Sequence, residues 1–288
     1  MEGQVMVYNY YFEIAAIIIA CVVLYDYKNK MRVFRTDAVL FKGVLLTILL
    51  ESCVNLISCV LLAYADDVPL ELNIAVATLF FIVQAFKLYM LSWFSFTYMN
   101  PHFSKKNPWF VVLSGIGVVN AVLGILTPWT GFYFYFDEER KYVQGFGTNW
   151  GFYFYIINIL ACLIYALMQR KRILDKDMQV AGWTAVIIGF GVYIQFIFRS
   201  TLTVGFSVAV AMLYLYMTLE NPNDYQDKVT LGGNAYGFKI QIDHKVTQKK
   251  NFSVCFIDIQ KFRYVNSIYG VEMGDCVLQK ISQFLEKT

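Results

Sequence analysis

The sequence predicts a mainly α-helical fold: a seven-helix transmembrane bundle over residues 1–220, a linking segment over 221–250, and the beginning of an α/β domain over 251–288. Three observations lead there. Of the 288 residues, 58% are hydrophobic and only 16% charged, against an apolar share of about 45–50% in soluble domains. Apolar runs of spanning length follow one another as far as residue 219. The composition then changes abruptly in LENPNDYQDKVTLGGNAYGFKI, where Pro222 ends the last helix and Asn, Asp and Gly accumulate.

A spanning helix needs about 20 mostly apolar residues. Such runs fall at 9–25, 39–64, 72–98, 109–127, 152–168, 178–198 and 201–219. The first is preceded by MEGQVMVYNYYFE, which has no basic segment, and no small-residue cleavage site follows it. It therefore reads as a retained span. Cytoplasmic loops collect Lys and Arg. Lys28, Lys30, Arg32 and Arg35 follow the first span, Lys105 and Lys106 the third, and Arg170, Lys171, Arg172 and Lys176 the fifth. The alternate connections lack that excess, which places the amino terminus outside and the carboxyl terminus in the cytoplasm. A net charge of +3 is too small to indicate a nucleic-acid partner. Cys21, Cys53, Cys59, Cys162, Cys255 and Cys276 are scattered without CxxC pairs or a histidine cluster, so buried free thiols are expected and a zinc site is not.

The connection after the fourth span, from Thr127 to Tyr155, is crowded with aromatic residues. One reading is an interfacial aromatic belt flanking a β-hairpin-like loop, because Trp and Tyr favour the headgroup region. The other is an aromatic lid over an external ligand pocket. Gly145 and Gly147 suit tight turns in either case.

Glu51 and Lys87 fall near the middle of the second and third spans, where a lone charge costs several kcal/mol. With a rise of ~1.5 Å per residue, antiparallel helices put Glu51 roughly 18 Å and Lys87 roughly 17 Å from the same membrane face. The depths match, so an ion pair supported by Asn55 and Gln84 is one expectation. Separate hydrated or interfacial positions are the other, because rotation about each helix axis is not read from sequence.

Beyond the linker, FSVCFID over 252–258 reads as a short buried strand, followed by a helix from Lys261 to about Ile268, a break at Gly270 and a helix from about Gly274 to Glu286. Asp258 at the strand end is placed to offer a carboxylate to a nucleotide-bound divalent cation. Arg263 at the helix start suits phosphate, and Asn266 with Asp275 complement the edge of guanine.

The spacing carries a family resemblance. DIQKFRYVNSIYGVEMGDCVL, with Asp258, Phe262, Asn266, Gly270, Gly274, Asp275 and Leu278 in register, resembles the opening of a GGDEF domain, the diguanylate cyclase family. The segment from Asp227 also resembles that family's opening motif at Asp227, Thr230 and Asn234. The resemblance implies a cyclase-palm fold and two GTP molecules condensed to cyclic di-GMP across a homodimer, with Mg2+ (or Mn2+) as cofactor. By position it makes Asp258 a metal ligand, Arg263 a phosphate contact, and Asn266 and Asp275 the guanine readers. Gln260, Ser267, Val271 and Ala235 depart from the pattern, and no GGDEF hairpin occurs up to Thr288. These 288 residues are therefore expected to be the inactive front part of a longer protein. The helical part resembles, by architecture alone, the seven-transmembrane sensor regions that precede bacterial signalling enzymes.

The expected function is a receptor of the bacterial inner membrane, with an unidentified extracellular or membrane ligand, that controls cyclic di-GMP synthesis. The alternative is a degenerate GGDEF domain that binds GTP without turnover. A transporter is disfavoured because the spans lack repeated carboxylates and an inverted repeat.

Overall fold

The structure, a computed structural model, describes residues 8–29, 38–65, 67–100, 103–170, 175–219, 227–247 and 251–286. The chain divides into two compact units, one ending at Thr218 and one running from Leu219.

Among the described residues the first unit contains seven helices: α1 (Tyr11–Asn29), α2 (Ala38–Ala63), α3 (Leu70–Met99), α4 (Pro108–Thr130), α5 (Thr148–Met168), α6 (Asp175–Ile197) and α7 (Thr203–Leu219). Among the described residues, α2 to α6 are long and apolar enough to cross a membrane. The first helix has 19 residues and carries Glu13 and Asp26, while the seventh has 17. Large apolar side chains such as Leu46, Ile57, Val112, Val119, Ile164 and Phe190 lie on the outside. In water such a surface would be a liability, and in lipid it is the solvated face. Lys28, Lys30, Arg32, Arg35, Lys171, Arg172 and Lys176, on which the orientation argument leans, have side chains outside the described residues. Lys105 is described, and its ammonium sits 3.5 Å from the centroid of the Trp93 ring.

Local chemistry sets the helix ends. Asn107 caps α4, its side chain accepting from Trp109 N at 3.0 Å, with Pro108 in the first turn, where its missing N–H costs nothing. The same helix stops at Gly131, whose φ of 65° is left-handed and whose N–H reaches back to Thr127 O at 2.8 Å. At the neighbouring turn, Gln195 Oε1 accepts from Val204 N at 2.8 Å and so holds the start of α7 against α6.

Between α4 and α5 the chain forms an antiparallel hairpin, β1 (Phe134–Phe136) with β2 (Tyr142–Gln144), in which Tyr135 faces Val143. Its turn is closed by Asp137, whose carboxylate accepts from Lys141 N at 2.8 Å, with Arg140 at φ 59°. The hairpin is seated by rings: Tyr133 stacks on Phe81 of α3 at 4.5 Å and donates its hydroxyl hydrogen to Asn120 of α4. The amino-terminal segment joins the same end of the bundle, Asn9 N donating to Ser200 O at 2.8 Å.

The six cysteines are free, and none is buried. The expectation of buried thiols is corrected here: Cys21 and Cys53 face outward from helices whose outer surface is apolar.

The second unit contains α8 (Ala235–Thr247), α9 (Phe262–Tyr269) and α10 (Val271–Glu286). Gly270, at φ 84°, breaks the last two apart. Residues 252–258, expected to form a buried strand, are exposed and make no ladder. An extended segment becomes a strand only when a neighbour supplies hydrogen bonds, and the rest of the described unit is helix and turn.

Gly145 packs against backbone, where an added Cβ would overlap Gly131 O and Phe132 O, whereas a Cβ at Gly117 meets no protein atom within 4 Å. Gly145→Ala is expected to lower stability by about 1–3 kcal/mol through overpacking, with Gly117→Ala neutral or stabilising. Thermal melting of the detergent-solubilised protein checks both, and equal melting of the two variants would contradict this seating of the hairpin.

Candidate functional site

Two groups of polar residues stand out, one in each unit. In the first unit, a spanning helix pair carries an ammonium and a carboxylate at matching depth. Lys87 is 0% exposed and Glu51 4%, and the Lys87 ammonium donates directly to Glu51 Oε2. The Tyr155 ring of α5 lies beside them, its centroid 5.4 Å from Lys87 Nζ. Asn55, expected to support that pair, instead donates to Glu13 Oε1 of α1 at 2.8 Å.

Glu13 is the residue the sequence reading missed. It is 3% exposed, and its second oxygen, Oε2, has no hydrogen-bond partner. Gly205 of α7 approaches it so closely that a Cβ there would lie 3.0 Å from Oε2. An acid two residues inside an apolar helix is the available signal.

Directly beside this charged group is a cavity of about 110 Å3. Asn55 and Tyr155 belong both to the charged group and to the cavity wall. Tyr142 and Gln144 of the hairpin close one side, with Tyr8 of the amino-terminal segment, while Arg199 and Gln195 line another. Leu62, Phe80, Phe81, Phe152 and Leu202 supply apolar walls. Of the aromatic connection read as either belt or lid, Tyr142, Gln144, Thr148, Gly151, Phe152 and Tyr155 line this cavity.

The electrostatics of the rim are simple. Burial pushes the phenol of Tyr142, and less strongly that of Tyr8, above the ordinary range, so both stay neutral at physiological pH. Arg199 is held in a fixed fork: one terminal nitrogen donates to Gln144 Oε1 and the other to Asn149 Oδ1, each at 2.7 Å. Arg199 was not among the residues singled out from sequence. Its place at the end of an apolar run, between the sixth and seventh helices, is the only sequence signal it carries.

In the second unit the nucleotide-related residues are spread along one segment. Asp258 and Arg263 are exposed, and Asp275 sits half-buried in the first turns of α10. Asn266 packs its side-chain oxygen against Gly274 so tightly that a Cβ at 274 would overlap it, and that oxygen has no hydrogen-bond partner. The glycine at 274 thus serves the placement of Asn266. Upstream, Asp227 folds the chain into a turn, its carboxylate accepting from Thr230 N at 2.9 Å and Val229 N at 3.0 Å. Those two backbone donors hold its carboxyl below the usual range. Asn234 caps the start of α8, accepting from Gly237 N at 2.9 Å.

Among the described residues no three Asp, Glu, His or Cys side chains come together as a metal site. Asp258 offers a single, exposed carboxylate.

Comparison with known families matches residues 226–288 to the family described as diguanylate cyclase, GGDEF domain. No curated protein and no solved structure matches the chain. The carboxyl-terminal segment thus carries GGDEF-domain sequence, behind a helical region whose long apolar helices suit a membrane protein.

Truncating one partner of a buried ion pair leaves an uncompensated charge, costing about 3–5 kcal/mol, whereas removing both is much milder. Lys87→Ala is accordingly expected to destabilise far more than Glu51→Ala combined with Lys87→Ala, because Glu51 would then face Glu13 with no cation between them. Melting curves of the three proteins in detergent decide this, and equal losses would contradict the pairing.

Proposed function

We infer, from GGDEF sequence at 226–288 behind a bundle of long apolar helices, that this protein is a membrane receptor controlling cyclic di-GMP signalling. The joining of those two parts in one chain is the observation that carries the reading. Seven spans, with the amino terminus outside and residues after 220 in the cytoplasm, would set the helical unit to sample one compartment while GTP is met in the other. The basic residues of the alternate connections support that orientation. It also puts the hairpin and the cavity at the outer end, as a receptor requires. A bacterial inner membrane is the setting this implies.

In the intact protein the reaction would condense two GTP molecules, each held by one protomer, so a homodimer is required by the stoichiometry of the product. Arg263, exposed at the start of α9, would contact phosphate. Asn266, with an unsatisfied side-chain oxygen, would accept from the donor edge of guanine, and Asp275 would add a second acceptor. Mg2+ (or Mn2+) would neutralise phosphate charge, with Asp258 contributing one ligand.

A second reading has its own support. Gln260, Ser267, Val271 and Ala235 stand where the family pattern carries charged or polar side chains. A domain so altered would bind GTP and report on it without turnover.

The test is cyclic di-GMP formation by the intact protein in lipid with GTP and Mg2+. Product is expected, with Asp258→Ala at background and Asn266→Ala weakening GTP about five- to thirtyfold, the equivalent of one or two kcal/mol. Tight GTP binding without product would overturn the cyclase reading in favour of the regulatory module. Failure to bind GTP would overturn both.

A further inference from the structure

The receptor reading leaves the ligand undefined, and the cavity beneath the hairpin narrows it. Its rim carries a guanidinium whose charge no carboxylate among the described residues neutralises. Arg199 has five N–H donors, and its two hydrogen bonds go to the neutral oxygens of Gln144 and Asn149. Among the described residues it has no acidic partner. Those two amides orient the planar fork in advance, with donors still available for a bidentate acceptor. The other cation near the cavity, Lys87, is already matched by Glu51.

A second observation is independent of the first. Tyr155, a residue 1% exposed, lines the same cavity and brings its ring to the Lys87 ammonium. Between the two polar points the walls are apolar, formed by Leu62, Phe80, Phe152 and Leu202. The volume of about 110 Å3 corresponds to roughly seven to ten water-sized groups.

We propose that this cavity binds a small carboxylate with an apolar body, its carboxylate on Arg199 and its body between Phe80, Phe152 and Leu202. The proposal rests on the receptor reading for its biological meaning and on the cavity alone for its chemistry. An anionic group could also come from a lipid headgroup. The free carboxylate is favoured by the small volume and by walls drawn from the hairpin, the amino-terminal segment and five of the helices.

Phenylacetate is a probe of suitable size and charge, with phenylacetamide and phenethylamine as its neutral and cationic counterparts. Binding is measured by saturation-transfer NMR on the intact protein in nanodiscs of neutral phosphatidylcholine. Phenylacetate is expected to bind saturably, the other two at least about tenfold more weakly. Arg199→Gln should abolish the preference and Arg199→Lys should retain part of it, with melting curves showing that both variants remain folded. The proposal is overturned if phenylacetate shows no saturable binding, if the three probes bind alike, or if the preference survives Arg199→Gln. Displacement of phenylacetate by phosphatidylglycerol would assign the site to a lipid headgroup and also overturn it. Cyclic di-GMP is followed in parallel: binding that leaves its synthesis unchanged refutes the receptor reading alone, and intact synthesis without binding refutes the site alone.

Discussion

A lysine at the centre of a spanning helix must be matched, and much of the first unit is arranged around that requirement. Lys87 is fully enclosed, so its ammonium has exchanged water for the carboxylate of Glu51 and the face of Tyr155. An uncompensated charge at that depth would cost several kcal/mol. The match can be made only in one rotation of α2 against α3, with α5 close enough to present its ring. Once those helices are set, Asn55 faces α1, where Glu13 accepts its amide hydrogen. A charged contact thus fixes which faces of four helices turn inward, a selection that apolar side chains alone make weakly in lipid.

The same arrangement opens the cavity. Helices held together by polar contacts near their middle need not close at their ends, and the space at one end is roofed by the hairpin instead. That hairpin is kept in place by ring stacking of Tyr133 and Phe134 on Phe81 and by the close backbone approach at Gly145. Its strands are only three residues each, too short to persist alone. Their order comes from packing on α3 and α4, so the roof and the bundle are one structure. Movement of the hairpin would reach the Glu51–Lys87 pair through Tyr155, which touches both cavity and ammonium.

The carboxyl-terminal unit shows the opposite balance. Its residue pattern is specific enough to match a family, yet its described residues form helices and turns and assemble no complete site. The spacing of Asp258, Arg263, Asn266 and Asp275 is legible because it is a property of one short segment. The strand expected at 252–258 was not formed, because a strand is completed by partners elsewhere and local alternation says nothing of their presence.

The sequence by itself determined where the helices run, that a hairpin-like segment follows the fourth, and that residues near 258–278 carry a GGDEF pattern. These depend on hydropathy, turn residues and spacing, which are local. Only the tertiary structure decided that Asn55 serves Glu13, that Arg199 stands at a cavity rim with neutral partners, and that Tyr155 joins cavity to ion pair. Each of those depends on the rotation of one helix about its own axis against another. A uniformly apolar helix carries almost no amphipathic signal of which face will turn inward, so that choice is made by packing.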